Sequence, residues 1–382
     1  MENGKAAVLK GLTNGVGFGS TEFFALRPKN GLEANYLLHF ILQSNFRRDA
    51  ARNMTGAVGL RRVPKQWLEQ QTIPLPDPDE QRRIVAEIEK QFTRLEAGVA
   101  ALRRVQANLK RYRAAVLKAA CEGRLVPTEA ELAKTGNRKA KFETGEALLA
   151  RILTERRQKW QGRGQYKEPV APDTANLPAL PEGWTWATTQ QLNLANRPCA
   201  YGVLQPGESI PDGVLFVRVG DINNGKVDLT NLKRISVTIA AQYPRTKLHG
   251  GELAITLVGA IGRTAIIPDS LAGGNTARAV GIIPLTKQVN AHWVEIWFRN
   301  PAKNAEMDSK SHEVARKTLN LEDVRGASVA LPPLAEQTRI LAEVERRLSV
   351  AEELEAVVSA NLQRATRLRQ SILQKAFMGE LS

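Results

Sequence analysis

The chain has 382 residues, and its 54 Lys and Arg against 39 Asp and Glu give a formal net charge of +15. Hydrophobic residues make up 43%, which excludes a disordered protein, and no apolar run approaches the roughly 20 residues of a membrane helix. The two cysteines, Cys121 and Cys199, exclude a disulfide framework and a multi-cysteine zinc site. The positive excess predicts an anionic partner, most commonly nucleic acid, and we expect a cytoplasmic protein.

Residues 1–74 carry a glycine cluster, Gly15, Gly17 and Gly19, after a possible strand at 6–9. The cluster resembles a nucleotide-binding loop, but a lone glycine cluster is weak evidence, and we interpret it as a turn. Residues 75–125 follow and contain a predicted helix from Glu80 to Cys121. Prolines precede this helix and Gly123 follows it, as is typical of helix boundaries.

Residues 126–179 are predicted to be a linker that contains a charged helix at 146–160. Residues 180–329 are predicted to form a mixed α/β domain. Its predicted elements are strands at 215–219, 252–258 and 280–283, a turn at 223–225, and a helix at 291–298 that buries Trp293, Ile296 and Trp297. Residues 330–382 contain a second long helix, from Glu336 to Phe377.

The two long helices belong to an internal repeat with a constant shift of 256 residues. LPDPDEQRRIVAEIEK, from Leu75, reappears as LPPLAEQTRILAEVER, from Leu331. The same shift carries Gly17 onto Gly273 without a gap, so similar helix composition alone does not explain the match. We interpret the chain as a tandem duplication.

Apolar residues in both helices recur in steps of three and four, which is typical of a coiled-coil seam. The predicted seam consists of Ile84, Ile88, Phe92, Leu95, Val99, Leu102, Leu109, Ile340, Val344, Leu348, Val358, Leu362 and Ile372. The same periodicity includes Val105, Tyr112, Leu354 and Leu368. The second helix is the nearest antiparallel partner for the first; helices of another protein are the alternative.

Catalytic signatures are absent from the sequence: it has no GxxxxGK[ST] loop, no HExxH and no GxSxG. The four histidines are scattered, without metal-ligand spacing. Asp308 and Lys310 resemble part of a nuclease site, but they lack a second acidic partner, and we interpret them as loop residues. We therefore expect neither a catalytic residue nor a metal site in this chain.

Basic and polar residues on predicted loops are the candidates for DNA contact, since such side chains neutralise phosphates or read base edges. They are Tyr201, Arg218, Asn223, Lys233, Arg234, Arg263, Asn275, Arg278, Lys310, Arg316 and Lys317, with Arg61 and Arg62 in the matching loop of the first repeat. Solubilising surface charge is the alternative for any single one of them.

The paired Glu-Gln helix blocks, at Leu75 and Leu331, and the paired Gly-x-Leu endings resemble the specificity subunits of type I restriction–modification systems. Leu180-Pro-Glu-Gly-Trp-Thr-Trp186 is similar to the opening of a target recognition domain. Gly259-Ala-Ile-Gly262 is similar to its glycine motif, and Tyr201-Gly202 to a pair that such domains often carry. The resemblance covers essentially the whole chain.

The resemblance implies two mixed α/β target recognition domains, each reading half of a split DNA site, separated by two long antiparallel coiled-coil helices. It implies a non-catalytic subunit that directs modification and restriction to double-stranded DNA. Its expected partners are two modification (methyltransferase) subunits and a restriction (motor–nuclease) subunit. S-adenosylmethionine, ATP and Mg would be bound by those partners and not by this chain.

The start of the chain departs from the family pattern. Residues 4–9 are similar to residues 262–267, so counterparts of Leu180 to about Ala260 do not precede them. The resemblance therefore predicts a partial first recognition domain at 1–74, which we do not expect to read DNA alone. The second domain is expected to remain competent.

Two other classes of function remain open. A coiled-coil scaffold that joins two protein-binding domains predicts no affinity for duplex DNA at moderate salt. A methyltransferase or nuclease in its own right predicts that the isolated chain binds S-adenosylmethionine or a divalent metal.

Overall fold

Short helices, one long helix, a strand-rich segment and a second long helix follow one another in this computed structural model, which describes residues 5–20, 22–57, 61–135, 142–311 and 317–381. The helices are α1 (Ala34–Ile41), α2 (Ser44–Arg52), α3 (Lys65–Glu69), α4 (Pro78–Cys121), α5 (Glu129–Thr135), α6 (Gly145–Gln158), α7 (Thr189–Leu192), α8 (Val237–Ala241), α9 (Ala291–Arg299), α10 (Pro301–Ser309), α11 (Leu321–Arg325) and α12 (Leu334–Phe377). The strands are β1 (Thr185–Thr188), β2 (Ala200–Tyr201), β3 (Val214–Val217), β4 (Ile222–Asn223), β5 (Lys226–Val227), β6 (Lys233–Ile235), β7 (Leu253–Thr256), β8 (Thr264–Ile266), β9 (Asn275–Thr276), β10 (Val280–Ile283) and β11 (Ser328–Leu331).

The chain divides into two compact units. Unit 1 comprises Met1–Leu109 and Glu353–Ser382, and unit 2 comprises Lys110–Glu352. Each long helix therefore contributes one half to each unit. These bounds cut across the domains expected from the sequence, because each unit is organised around a pair of half-helices.

Both long helices begin two residues before their predicted starts and end at the predicted residues, and their bounds differ by 256 residues at each end. Pro78 occupies the first position of α4, where its missing N–H costs no hydrogen bond. Gly123 and Gly379 adopt positive φ of 67° and 75° after the two helices, a conformation that favours glycine. At 1.5 Å per residue, each helix is about 66 Å long.

In unit 1 the N-terminal half of α4 packs on the C-terminal half of α12. Ile88 and Phe92 form one buried cluster with Ile372, Leu373 and Ala376. Arg369 lies over the Phe92 ring, 4.2 Å from its centroid. The helices are therefore antiparallel within this unit.

In unit 2 the C-terminal half of α4 packs on the N-terminal half of α12, again antiparallel. Val116, Leu117 and Ala120 share a cluster with Val344, and Leu348 packs against it. Each of these residues is the counterpart, at a shift of 256, of a residue in the unit 1 cluster. The predicted fold class is confirmed as mixed α/β with two long antiparallel helices, and the seam is closed within the chain.

The apolar residues with seam periodicity divide into a covered group and an exposed group. All thirteen predicted seam residues are buried or half-buried. By contrast, Val105, Tyr112, Leu354 and Leu368 are exposed. The apolar stripe is therefore broader than the buried contact, since a helix side chain needs a facing neighbour to be covered.

A glutamine ties each long helix to the start of an earlier helix in the same repeat, α1 or α9. In unit 1, Gln81 Nε2 donates to the Pro76 carbonyl (2.9 Å), and its Oε1 accepts from the Glu33 amide ahead of α1. In unit 2, Gln337 Nε2 donates to Pro332 (2.9 Å) and its Oε1 accepts from the Asn290 amide ahead of α9. Both glutamines are at most 1% exposed, so their amide groups depend on these partners.

The shorter helices repeat as well. The helices α1 and α2 precede α9 and α10 by 257 residues, whereas α3 precedes α11 by 256. The segment after α2, 53–64, is accordingly one residue longer than its counterpart, 310–320. The repeat therefore changes length in this loop, and the prediction of a gap-free shift of 256 from Gly17 to the long helix is wrong.

The eleven strands found among the described residues all lie in unit 2. They form sheets of order β1-β11, β2-β10-β7-β8, β6-β3-β9 and β4-β5. The predicted helix at 291–298 is present as α9, and it buries Trp293, Ile296 and Trp297 in the main core. The predicted turn is also present: Asn224 and Gly225 adopt positive φ of 48° and 81° between β4 and β5.

Unit 1 contains no strand among its described residues. The strand predicted at 6–9 is wrong, since these residues form no sheet pairing in the described part of the chain. Thr13–Gly15 forms a single 3-10 turn, in agreement with our interpretation of the glycine cluster as a turn.

The helix α6 is not a free linker element. Leu148 and Ile152 are 0% and 2% exposed in the core of unit 2. Gly145 lies so close to β11 that an added Cβ would meet the Leu331 carbonyl oxygen at 2.1 Å. Two apolar residues four positions apart are enough to dock this otherwise charged helix.

We expect Ile88→Ala to lower the free energy of unfolding by about 2–5 kcal/mol, because it leaves a cavity in the buried helix contact. Val357→Ala is the matched control: Val357 lies on α12 in the same unit and is 56% exposed, so its change should stay within about 0.5 kcal/mol. Urea titration followed by circular dichroism measures both. Equal effects of the two substitutions would contradict the intramolecular seam.

Candidate nucleic-acid interface

The parallel pairing of β3 with β9 brings two predicted DNA-contact residues to one edge of unit 2. Phe216 lies opposite Asn275 and Val217 opposite Thr276. Because parallel strands end at the same edge of a sheet, Arg218 and the segment that carries Arg278 leave the sheet side by side. The Ala277 amide donates to the Val217 carbonyl (2.9 Å) and fixes this arrangement.

Lys233 lies at the same edge. It begins β6, which is antiparallel to β3, and pairs with Phe216. Arg218 reaches the same neighbourhood, since its Nη2 donates to the Asn231 carbonyl at 3.3 Å.

Tyr201 joins this edge through backbone hydrogen bonds. The Val203 amide donates to the Thr276 carbonyl (2.8 Å), and the Arg278 amide donates to the Val203 carbonyl (2.9 Å). A Cβ at Gly202 would lie 1.8 Å from the Thr276 carbonyl oxygen, so only glycine allows this approach. The Tyr201 side chain is 51% exposed.

The glycine motif and Lys317 complete the edge. The Leu257 amide donates to the Ala279 carbonyl (2.8 Å), and the Gly259 amide donates to the Lys317 carbonyl (3.1 Å). Arg263 follows the motif, and its amide donates to Thr256 Oγ1 (2.9 Å). We call the resulting surface the cationic loop edge; it consists of Tyr201, Arg218, Lys233, Arg263, Arg278 and Lys317.

Asn304 supports this edge and was not predicted. Its Nδ2 donates to the Gly262 carbonyl at 3.1 Å, and Gly262 has a positive φ of 75°. The position of Asn304 on α10, 42 residues from the motif, leaves no local sequence signal for this contact.

The cations of the edge differ in what they already contact. Arg218 is held by the buried carboxylate of Asp221 (Nη2 to Oδ1, 2.9 Å), and Lys317 pairs with Asp308 (2.6 Å). Within the described residues, Arg263 and Arg278 are exposed and form no ion pair. These two guanidinium groups are therefore the most available for a phosphate or a base edge.

The prediction that Asn275 lies on the DNA surface is wrong. It is 1% exposed. Its Oδ1 accepts from Thr246 Oγ1 (2.7 Å), and its Nδ2 donates to the Tyr243 carbonyl (3.2 Å). The pairing of β9 with β3 buries this side chain, so its role is structural.

The remaining predicted residues lie away from the edge or outside the described residues. Arg234 donates to the Gly213 carbonyl (2.9 Å), at the opposite end of β3. Asn223 is exposed on the β4–β5 hairpin, and Lys310 pairs with Glu306 (2.9 Å) at the end of α10. Arg316 and Gly4, which begins the segment similar to 262–267, lie outside the described residues.

In unit 1, Arg61 and Arg62 are exposed. Arg62 pairs with Glu22, while Arg61 Nη2 contacts the Met54 carbonyl at 3.5 Å. Arg61 is the counterpart of Lys317 at a shift of 256, so both repeats carry a cation at this loop position.

Groups that could support other chemistry are few. Among the described residues, no group of three His, Cys, Asp or Glu side chains could hold a metal ion. Asp308 lies in α10, not in a loop as predicted, and neutralises Lys317. Burial raises the pKa of both thiols, Cys121 and Cys199, so both stay protonated at neutral pH. Among the described helices, none combines the length and the hydropathy of a membrane-spanning segment.

The chain is similar to known proteins in sequence and in fold. Residues 4–101 match the type I restriction modification DNA specificity domain. The chain is 34% identical, over 86% of its length, to the type I restriction enzyme EcoBI specificity subunit of Escherichia coli, and covers 62% of that protein. It is 25% identical to the EcoKI specificity subunit of E. coli strain K12, over 94% of this chain and 68% of the relative.

A chain of a solved type I restriction–modification system shares the fold. Its TM-score is 0.56 at 18% identity, and the match covers 90% of this chain and 71% of the other. The chain thus has the same fold as that solved chain. The resemblance predicted from the motifs is confirmed: the chain is related to the specificity subunits of type I restriction enzymes.

Asn275 and Asn223 were both predicted for the DNA surface, but only Asn275 is buried, so the two residues form a matched pair for testing its structural role. We expect Asn275→Ala to cost about 1–3 kcal/mol of unfolding free energy, since Thr246 and Tyr243 lose a buried partner. Asn223→Ala, on the exposed hairpin, should change it by less than about 0.5 kcal/mol. Chemical denaturation of both variants measures the difference; a stable Asn275→Ala variant would contradict the structural role.

Proposed function

We propose that this chain is a DNA sequence-recognition subunit of a type I restriction–modification complex, and that unit 2 reads one half-site of a bipartite target. The observation that carries the proposal is the cationic loop edge. It gathers one exposed aromatic side chain and five cations from separate segments on one side of unit 2. Arg263 and Arg278, which form no ion pair within the described part of the chain, have the bidentate geometry that reads guanine or grips phosphate.

The chain's net charge of +15 supports the proposal, because phosphate neutralisation supplies most non-specific DNA affinity. Sequence similarity to two proteins named specificity subunits also supports the proposal. The chain spans 62% of the EcoBI subunit, so the activity of that whole protein is part of the proposal here.

The partners follow from the same proposal. Two modification subunits and one restriction subunit would assemble on this chain, with outward Glu and Arg side chains of α4 and α12 as contacts for the modification subunits. S-adenosylmethionine, ATP and Mg would act in those partners, and this chain would have no catalytic role. The complex would work in the cytoplasm, where its DNA lies.

A selection from randomised duplex DNA tests the proposal, with the chain alone and with its modification subunits. We expect enrichment of a defined sequence and binding that weakens steeply between about 50 and 200 mM salt. The scaffold alternative predicts no enrichment and no binding to duplex DNA at moderate salt. That result would overturn the proposal.

Substitutions of single cations separate phosphate contact from base reading. Lys317→Ala should weaken binding to all sequences and lower the salt slope by about 1, whereas Arg278→Ala should relax the selected sequence if Arg278 reads a base. Lys287→Ala is the control, since Lys287 lies beyond the opposite end of β10 from Arg278. Binding that is unchanged in both edge variants would contradict the surface assignment.

A further inference from the structure

The Arg218 guanidinium has a fixed orientation at the cationic loop edge. Its Nε donates to Asp221 Oδ2 (3.1 Å), and its Nη2 donates to Asp221 Oδ1 (2.9 Å). Nη2 also donates to the Asn231 carbonyl (3.3 Å). Two parallel N–H···O bonds to one carboxylate fix the plane of a guanidinium as well as its position.

The carboxylate that holds Arg218 is itself anchored to the core of unit 2. The Asp221 side chain is 9% exposed, and its Oδ2 also accepts from the Arg218 amide (2.7 Å). The Asp221 amide donates to the Arg218 carbonyl (3.0 Å), and the Asp221 carbonyl accepts from the Asp228 amide (2.7 Å). The flanking residues Val217 and Ile222 are both 0% exposed in one core cluster. The position of the guanidinium is therefore set by the core.

One nitrogen of Arg218 is available to a ligand. Nη1 forms no hydrogen bond with a described residue, and it is not among the buried polar atoms that lack a partner, so solvent reaches it. The side chain as a whole is 36% exposed. Because Nη1 carries two N–H donors, Arg218 offers a ligand two hydrogen bonds whose direction is set in advance.

The other cations of the edge are not oriented in this way. Arg263 and Arg278 form no ion pair within the described residues, and Lys317 meets Asp308 through one contact (2.6 Å). A phosphate needs no oriented donor, since contacts to the DNA backbone are the same in every sequence. Base reading depends on a donor that is held in the productive position. The two contacts between Arg218 and Asp221 therefore favour base reading over phosphate contact.

The two donors of Nη1 fit guanine. In the major groove, guanine presents two acceptors, N7 and O6, whereas adenine presents its N7 acceptor beside an N6 donor. Cytosine presents a donor there, and thymine presents one acceptor beside a methyl group. Guanine is therefore the base that offers an acceptor to each of two N–H donors.

We propose that Arg218 reads a guanine in the half-site of unit 2 through Nη1, and that Asp221 is the positioning residue that orients its guanidinium. The inference rests on the function proposed above and assigns one base of the target to one side chain. Asp221 acts before the DNA binds, because an ordered Arg218 side chain loses less conformational entropy in the complex. Removal of its carboxylate should therefore relax one base position and leave the others unchanged.

Asp221→Asn tests the positioning role, with Asp308→Asn as its matched control. Both substitutions remove one negative charge from a residue that pairs with a cation of the same edge. Asp221→Asn also replaces an acceptor oxygen by an N–H donor, so the preference for guanine at one position should fall roughly five- to a hundredfold. Asp308→Asn frees a point charge and should raise the affinity for all sequences about two- to fivefold, with every base preference retained.

Selection from randomised duplex DNA by the full chain with its modification subunits identifies the relaxed position. Titration of the selected site and of its single-base variants then gives the fold-changes. The same outcome in the two variants would overturn the positioning role. A uniform loss of affinity in Asp221→Asn, with no single position relaxed, would overturn it as well.

Arg218→Lys is a second test, which leaves the carboxylate in place. It keeps the positive charge and loses the planar fork, so the same guanine position should relax while the salt dependence of binding is unchanged. Different relaxed positions in Arg218→Lys and Asp221→Asn would contradict the proposal. Thermal unfolding followed by circular dichroism shows whether each variant is folded; if Asp221→Asn is not, Arg218→Lys alone decides.

The unsubstituted chain separates this inference from the proposed function. A chain that selects no sequence contradicts the proposed function itself. A chain that selects a sequence, with variants that leave every position of it unchanged, contradicts only the assignment of Arg218 and Asp221.

Discussion

The antiparallel contact between α4 and α12 is the interaction on which both units depend. Each unit is closed by the N-terminal half of one helix and the C-terminal half of the other. Since the helices are copies with a shift of 256, the same contact is made twice: Ile88 with Ile372 in unit 1, and Val344 with Val116 in unit 2. The buried glutamines at the start of each helix then attach the shorter helices α1 and α9 to this frame. The duplication thus supplies each helix with a partner whose seam matches its own.

Charge selects the antiparallel direction. In each helix the acidic residues end early: none follows Glu96 in α4 or Glu355 in α12, although both continue for more than 20 residues with Lys and Arg. An antiparallel pair places each basic half beside a half that contains carboxylates, while a parallel pair would align the basic halves. Two ion pairs between the helices are formed in the antiparallel arrangement. Arg369 with Glu96 in unit 1 (3.0 Å) and Arg113 with Glu352 in unit 2 (3.9 Å) are equivalent at a shift of 256. Exposed pairs add little stability, but like-charge alignment is penalised, so their contribution is to orientation.

Local signals explain which features the sequence could predict. The bounds of the long helices, the turn at 223–225 and the helix at 291–298 follow from proline, glycine and apolar spacing within a few residues. Burial that depends on distant segments escaped prediction. Asn275 looks like a surface residue until β9 pairs with β3, and α6 looks like a charged linker until Leu148 enters the core of unit 2. The cationic loop edge shows the same division: the sequence suggested its cations, but only the pairing of strands brought Arg218, Arg278 and Lys317 to one side. Asn304, which holds the glycine motif, had no signal at all because its contact spans 42 residues.

The one-residue difference between segments 53–64 and 310–320 has an evolutionary consequence. Those segments carry Arg61 and Lys317, which occupy the same loop position in the two repeats, and each is followed by a short helix, α3 or α11, whose spacing from the long helix is the same in both repeats. The long-helix contact is the same in both repeats despite this difference, so an insertion or deletion there can alter the exposed cations without disturbing that contact. Under the proposed function, diversification of target choice would proceed by small length changes at the periphery, while selection on the inherited frame stays constant.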